Sequence, residues 1–164
     1  MQANNATLIG IGNLFMRDEG AGIHAIQYIL DNFVIPSELE IVDGGTSGLD
    51  LLPYIEDRTH VFFADAVNFN QRPGYIGVLT NQQVPALFGA KASLHHVGLM
   101  DVLATARLLE RPPKQICLIG IQPDSMETGL ELTETIQERL ELFVNQIIAQ
   151  IASQGIMIDK RCPK

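Results

Sequence analysis

The chain has 164 residues and a formal net charge of −8 at pH 7, with 46% hydrophobic and 18% charged residues. The hydrophobic content argues against a disordered chain, and the acidic balance argues against nucleic acid or an anionic membrane as a partner. The length suits one domain, and we expect residues 1–164 to form it.

The two cysteines favour a reducing compartment. Cys117 stands in an apolar run and Cys162 in a polar tail, so no disulfide framework is predicted. The first residues lack the basic region and apolar core of a signal peptide. No segment approaches the roughly 18 apolar residues of a bilayer span. The sequence therefore predicts a cytoplasmic protein without membrane insertion.

In the first half of the chain, predicted strands alternate with predicted helices. An apolar run predicts a strand over residues 7–12, and the periodic apolar positions after it predict a helix over about 19–32. A second strand is predicted over residues 39–42, followed by a short helix within residues 49–55. A third strand, residues 60–64, ends on an aspartate.

The second half continues the alternation. A strand over residues 75–79 follows after a short connection, which is compatible with antiparallel pairing. Residues 84–88 are predicted to be a loop, and the third long helix after them ends before Arg111 and its two prolines. A strand over residues 116–119 precedes the last helix, for which Thr133 is the expected N-cap.

This alternation predicts an α/β fold. We expect a three-layer sandwich, in which a mostly parallel, twisted sheet of about five strands carries helices on both faces. Right-handed crossovers bring the carboxyl ends of parallel strands to one edge of the sheet. Side chains that follow different strands are therefore expected to meet there.

Carboxylates and imidazoles are concentrated at that predicted edge. Clustered carboxylates are tolerated best when a cation, a proton or hydrogen-bond donors compensate their charge. Two carboxylates with one imidazole form a mixed oxygen and nitrogen site that suits nickel or zinc. The candidates are Asp18, Glu19, Asp43, Asp65 and the pair His95-His96.

Simpler roles compete with metal binding at three of these acids. Asp18 is expected to cap the N-terminus of the first helix. For Glu19, metal binding and a favourable contact with the helix dipole are evenly balanced. Asp43 precedes two glycines, so capping of its own turn is the default. Asp65 ends an apolar strand, where an unpartnered carboxylate is costly, and its functional interpretation is the strongest.

The histidines divide into two groups. One of His95 and His96 is a candidate ligand, while the other packs or faces solvent. His24, within the first helix, and His60, at the start of the third strand, are interpreted as structural.

A dinucleotide-binding loop is an alternative interpretation of the first glycines. Gly10 and Gly12 follow a strand and precede a helix, but Phe15 stands where the motif needs glycine or alanine. The acidic residue expected about 20 positions further on is also missing. Asp18 and Glu19 would moreover repel a pyrophosphate. The sequence disfavours nucleotide binding.

Six segments together resemble the [NiFe]-hydrogenase maturation proteases, in family order. They are residues 10–22 (GIGNLFMRDEGAG), 43–48 (DGGTSG), 64–66 (ADA), 84–88 (VPALF), 93–99 (SLHHVGL) and 120–123 (GIQP). The resemblance implies a twisted sheet between helices and an endopeptidase that removes a C-terminal extension from the hydrogenase large-subunit precursor. In that family cleavage follows nickel insertion, and the substrate's nickel serves as the recognition element.

The resemblance also implies residue roles. The metal-contacting, catalytic residues carry over to Glu19, Asp65 and His95, and Asp43 is linked to substrate discrimination. We hypothesise that the three complete the coordination of a nickel ion already held by cysteines of the precursor, so that the nickel arrives with the substrate. The enzyme would then be a monomeric activator of hydrogenase. The alternatives are a non-catalytic nickel-binding maturation chaperone and a metallohydrolase with its own tightly bound metal.

Overall fold

The computed structural model describes residues 5–91 and 94–163, with side chains described outside residues 88–97. No helix in the described ranges is long and apolar enough to cross a membrane. In chain order the elements are β1 (Ala6–Ile11), a 3-10 turn (Arg17–Gly20), α1 (Ala21–Asn32), β2 (Phe33–Val34), β3 (Leu39–Gly45), a second 3-10 turn (Leu49–Leu51), α2 (Leu52–Ile55), β4 (His60–Ala66), β5 (Ile76–Thr80), α3 (Gln83–Lys91), α4 (Leu94–Leu108), β6 (Gln115–Ile121), α5 (Glu134–Ala152) and β7 (Asp159–Lys160).

The central sheet has five strands in the order β3-β1-β4-β6-β5. The first four are parallel, and β5 pairs antiparallel with β6. Gly10 of β1 lies opposite Asp43 on one side and Ala64 on the other. The predicted α/β fold with a mostly parallel sheet is confirmed, and the carboxyl ends of β1, β3, β4 and β6 share one edge.

Helices cover both faces of this sheet. The side chains of successive strand residues point to opposite faces, so Phe62 packs under α1 and α5 whereas Phe63 packs under α2 and α4. Both phenylalanines are buried. Burial on both faces explains why the parallel strands are continuous apolar runs in the sequence.

Two parts of the fold differ from the sequence predictions. Residues 84–88, predicted as a loop, belong to the helix α3. Pro85 lies in its first turn, where proline removes no hydrogen bond of the helix, and Val84 is fully buried. In addition, the two-residue strands β2 and β7 pair antiparallel. Strands this short show no alternation that a sequence pattern could reveal.

Candidate active site at the carboxyl edge of the sheet

The connection between β1 and α1 folds back over the end of β1. Gly12 has a φ of +141°, and a Cβ atom added to it would lie 1.9 Å from the carbonyl oxygen of Glu19. Only glycine fits such an approach of backbone to backbone. Glu19 lies in the 3-10 turn that precedes α1, rather than in the helix as predicted, and it is partly buried.

The first turn of α1 rests directly on the ends of two strands. A Cβ atom on Gly22 would lie 2.1 Å from the carbonyl oxygen of Ala64 and 2.6 Å from that of Ile11. The adjoining 3-10 turn contacts β4 as well. Because Asp65 follows Ala64 in β4, these contacts bring the segment that carries Glu19 to the part of the sheet that carries Asp65.

Asp65 is fully buried near the carboxyl end of β4. Its register partner on β6 is Gly120. Strand alternation places Asp65 on the same face as Phe63 and Val67, which pack in the cluster under α2 and α4. The Asp65 carboxylate therefore lies on the face of the sheet that α4 covers.

Asp18 has a different role from the predicted one. It makes no capping bond to the helix that follows it. Its carboxylate is fully buried and instead accepts four hydrogen bonds from three distant residues, Asp124, Ser125 and Thr133. Asp18 thus connects the 3-10 turn with the segment 124–133 before α5. The predicted helix cap is wrong, because the carboxylate binds these donors instead of the N–H groups of the helix. The donors are more than one hundred residues away in the sequence.

Asp43 caps its own turn, as predicted. Its Oδ1 accepts a hydrogen bond of 3.0 Å from the backbone N–H of Gly45. Asp43 also lines a groove of about 380 Å³ beside the β1–α1 connection. The side chain of Phe15 is 68% exposed at that groove. The residues that line the groove are Gly12, Asn13, Leu14, Phe15, Ile23, Asp43, Gly45 and Thr46.

His95 and His96 both lie in the first turn of α4, but their side chains lie outside the described residues. The helix itself reaches the carboxyl edge. A Cβ atom on Gly98 would lie 3.4 Å from the Cα of Gly48, in the loop that follows β3. Among the side chains that the structure describes, no three of the metal-binding types form a group that could hold an ion.

The other two histidines, His60 and His24, lie within regular secondary structure. His60 begins β4, at the opposite end from Asp65, and its ring stacks on Phe62 with 6.1 Å between the centroids. His24 lies in α1, where burial lowers its pKa below the usual 6.5. The stacking of His60 agrees with its structural interpretation from the sequence.

Comparisons with known proteins assign the chain to a protein family. The model of the hydrogenase maturation protease family (HycI) matches residues 23–150. The Hydrogenase 2 maturation protease of Escherichia coli K12 is 35% identical over 150 residues, which cover 91% of this chain and 92% of the relative. This chain belongs to the hydrogenase maturation protease family. It is therefore a peptidase, as the sequence predicted.

Other relatives agree with this membership. The hydrogenase expression/formation protein HupD of Rhodobacter capsulatus is 34% identical over 155 residues, or 93% of this chain and 74% of the relative. The hydrogenase maturating endopeptidase HybD of E. coli superposes with a TM-score of 0.91 at 34% identity, covering 95% and 97% of the two chains. HybD of Thermococcus kodakarensis shares the fold, with a TM-score of 0.72 at 21% identity over 92% and 98%.

The carboxyl edge of this maturation protease thus combines two features. Asp65 lies near the end of β4, and Glu19 lies in the 3-10 turn that follows the neighbouring strand β1. An open groove with an exposed aromatic side chain lies beside the segment of Glu19. Sequence reasoning missed the connection between Asp18 and the segment 124–133. No local pattern signals such a contact, since only the tertiary fold brings its members together.

Proposed function

We propose that this peptidase removes the C-terminal extension of a [NiFe]-hydrogenase large-subunit precursor after nickel insertion, and that it recognises the nickel bound to that substrate. The observation that carries the proposal is the pair of carboxylates, Glu19 and Asp65, at one edge of the sheet in a member of this protease family. The relatives named for hydrogenase 2 maturation and hydrogenase formation support the choice of substrate.

Glu19, Asp65 and His95 are the proposed metal contacts and catalytic residues. Two carboxylates and one imidazole leave coordination positions of a nickel ion open for ligands of the substrate, such as cysteine thiolates. The nickel is thus part of the substrate. Once shared, it polarises the scissile carbonyl or activates water, or it holds the peptide in position for attack.

The periodicity of α4 supports His95 rather than His96 as the third contact. The most buried positions of this helix include Leu99, Val102 and Ala106. Position 95 precedes them by four, seven and eleven residues, the spacings that recur on one face of a helix. That face packs on the side of the sheet where Asp65 lies. Position 96 is rotated by about 100° from position 95.

The groove beside the β1–α1 connection is the proposed binding site for the precursor around the cleaved bond. It is open, and the exposed Phe15 and Leu14 offer apolar contacts to a polypeptide chain. Asp43 lines the same groove, and we propose that it discriminates between substrates. We also propose that residues 1–164 act as one domain and as a monomer in the cytoplasm, in keeping with two free cysteines.

The test is incubation of the purified protein with purified precursor in two forms, nickel-loaded and nickel-free. We expect the nickel-loaded precursor to lose the mass of its C-terminal extension and the nickel-free precursor to stay intact, as read by mass spectrometry. Binding without loss of mass would instead identify a maturation chaperone. Equal cleavage of both forms by a protein that retains its own metal would identify a metallohydrolase.

A further inference from the structure

We propose that Asp18 is a positioning residue for Glu19, and that it acts by fastening the 3-10 turn to the segment 124–133. This inference rests on the function proposed above, because it assigns Asp18 a part in the same site. Asp18 does not contact the substrate in this proposal. It determines where its neighbour Glu19 stands.

Both oxygens of the buried Asp18 carboxylate accept hydrogen bonds from donors in that segment. Its Oδ2 accepts from the backbone N–H of Asp124 and of Ser125, each at 2.9 Å, and from the Thr133 hydroxyl at 2.8 Å. Its Oδ1 accepts from the Thr133 N–H at 2.8 Å. A buried carboxylate is costly unless donors surround it, and bonds from donors to a charged oxygen are stronger than neutral ones.

Backbone hydrogen bonds attach the same two segments on the other side of Asp18. Arg17 N–H donates to Gly129 O at 3.0 Å, and Gly129 N–H donates to Phe15 O at 2.8 Å. Asp18 N–H donates to Ser125 O at 3.2 Å. The residues before Glu19 are thus held in place by main chain and side chain together.

The turn needs this attachment because its backbone is strained. Arg17 has a φ of +47°, in the left-handed region that residues other than glycine rarely adopt. Such a conformation persists only where the surroundings impose it. The carbonyl oxygen of Glu19 also lies against Gly12, so the turn cannot shift toward Gly12. Releasing Asp18 is therefore expected to displace Glu19 from the strand ends.

Asp18→Asn tests the proposal. The amide keeps the shape of the side chain but removes the charge and turns an N–H₂ group toward N–H donors. We expect kcat for precursor cleavage to fall by about 100-fold, the cost of an error of about 1 Å in a catalytic group, with KM within about threefold of the wild-type value. Assays are run at a temperature where circular dichroism shows the variant fully folded.

Two conservative substitutions of Thr133 test the contribution of its hydroxyl group. Thr133→Val removes the hydroxyl donor at constant size and is expected to lower kcat severalfold. Thr133→Ser keeps the donor and is expected to retain wild-type kcat. As the matched control, Ile147→Ala on the buried face of α5 destabilises the protein away from the site and is expected to leave kcat unchanged in the folded protein.

Amide hydrogen exchange gives a readout that does not depend on cleavage. In Asp18→Asn, exchange is expected to accelerate together in residues 14–20 and 124–133, while Ile147→Ala leaves both segments protected. Wild-type kcat in Asp18→Asn, or unchanged exchange in the two segments, would overturn the inference even if the wild-type protein cleaves the precursor. Failure of the wild-type protein to cleave would overturn the proposed function instead, and the exchange experiment would still decide whether Asp18 fastens the turn.

Discussion

Glu19→Gln and Asp65→Asn are each expected to lower cleavage of the nickel-loaded precursor by about 100-fold or more, since even residues that only orient metal ligands contribute about 10–100-fold. The amides keep the size of the side chains but bind a metal ion far less well than carboxylates do. Both variants are expected to fold. The measurement is the initial rate of release of the C-terminal extension, with circular dichroism and thermal unfolding to verify the fold.

Matched variants separate this effect from a general loss of negative charge. Glu127 is an exposed carboxylate in the segment 124–133 at the same edge, and Glu127→Gln is expected to cleave at the wild-type rate. His95→Ala is expected to lose activity and His96→Ala to keep it. Cleavage at the wild-type rate by Glu19→Gln and by Asp65→Asn would contradict the proposed site.

Gly12→Ala is expected to have the largest effect on stability. The added methyl would collide with the Glu19 carbonyl oxygen, and the φ of +141° disfavours any residue except glycine. Strain and overpacking together cost about 3 kcal/mol or more of the free energy of unfolding. Urea unfolding measures that loss. The folded fraction is expected to cleave slowly as well, because the collision displaces the turn that carries Glu19.

Gly155→Ala is the matched control for the backbone. Gly155 also has a positive φ, of +83°, but a Cβ atom there would meet nothing within 4 Å. Its substitution is expected to cost about 1 kcal/mol from strain alone and to leave cleavage intact. Equal losses of stability in the two variants would show that the close contact between Gly12 and Glu19 is not essential.

Most of the fold could be predicted because its strands and helices have clear periodicities. The apolar runs of the parallel strands and the buried stripe of α5 fell where the sequence placed them. Thr133 occupies the predicted N-cap position, but its hydroxyl makes no bond to the helix and donates to Asp18 instead. The segment 84–88 was predicted as a loop, but it belongs to α3, because proline is accommodated in a first helical turn. The pairing of β2 with β7 involves two residues on each side, too few for a pattern.

The site could be predicted in part, for the same physical reasons. Parallel strands bring their carboxyl ends together, and that rule was sufficient to expect Glu19 and Asp65 at one edge. The role of Asp18 could not be obtained this way. Its donors lie 106 to 115 residues away, and nothing in the local sequence indicates that a carboxylate will prefer them to its own helix.

We propose above that Glu19 and Asp65 bind a nickel ion brought by the substrate. X-ray absorption at the nickel edge tests it directly, on nickel-loaded precursor frozen with excess protein within the first turnover. We predict that the wild-type protein adds oxygen or nitrogen neighbours to the nickel, and that Glu19→Gln and Asp65→Asn add fewer. An unchanged nickel environment in a mixture that goes on to cleave the precursor would show that Glu19 and Asp65 do not bind the nickel.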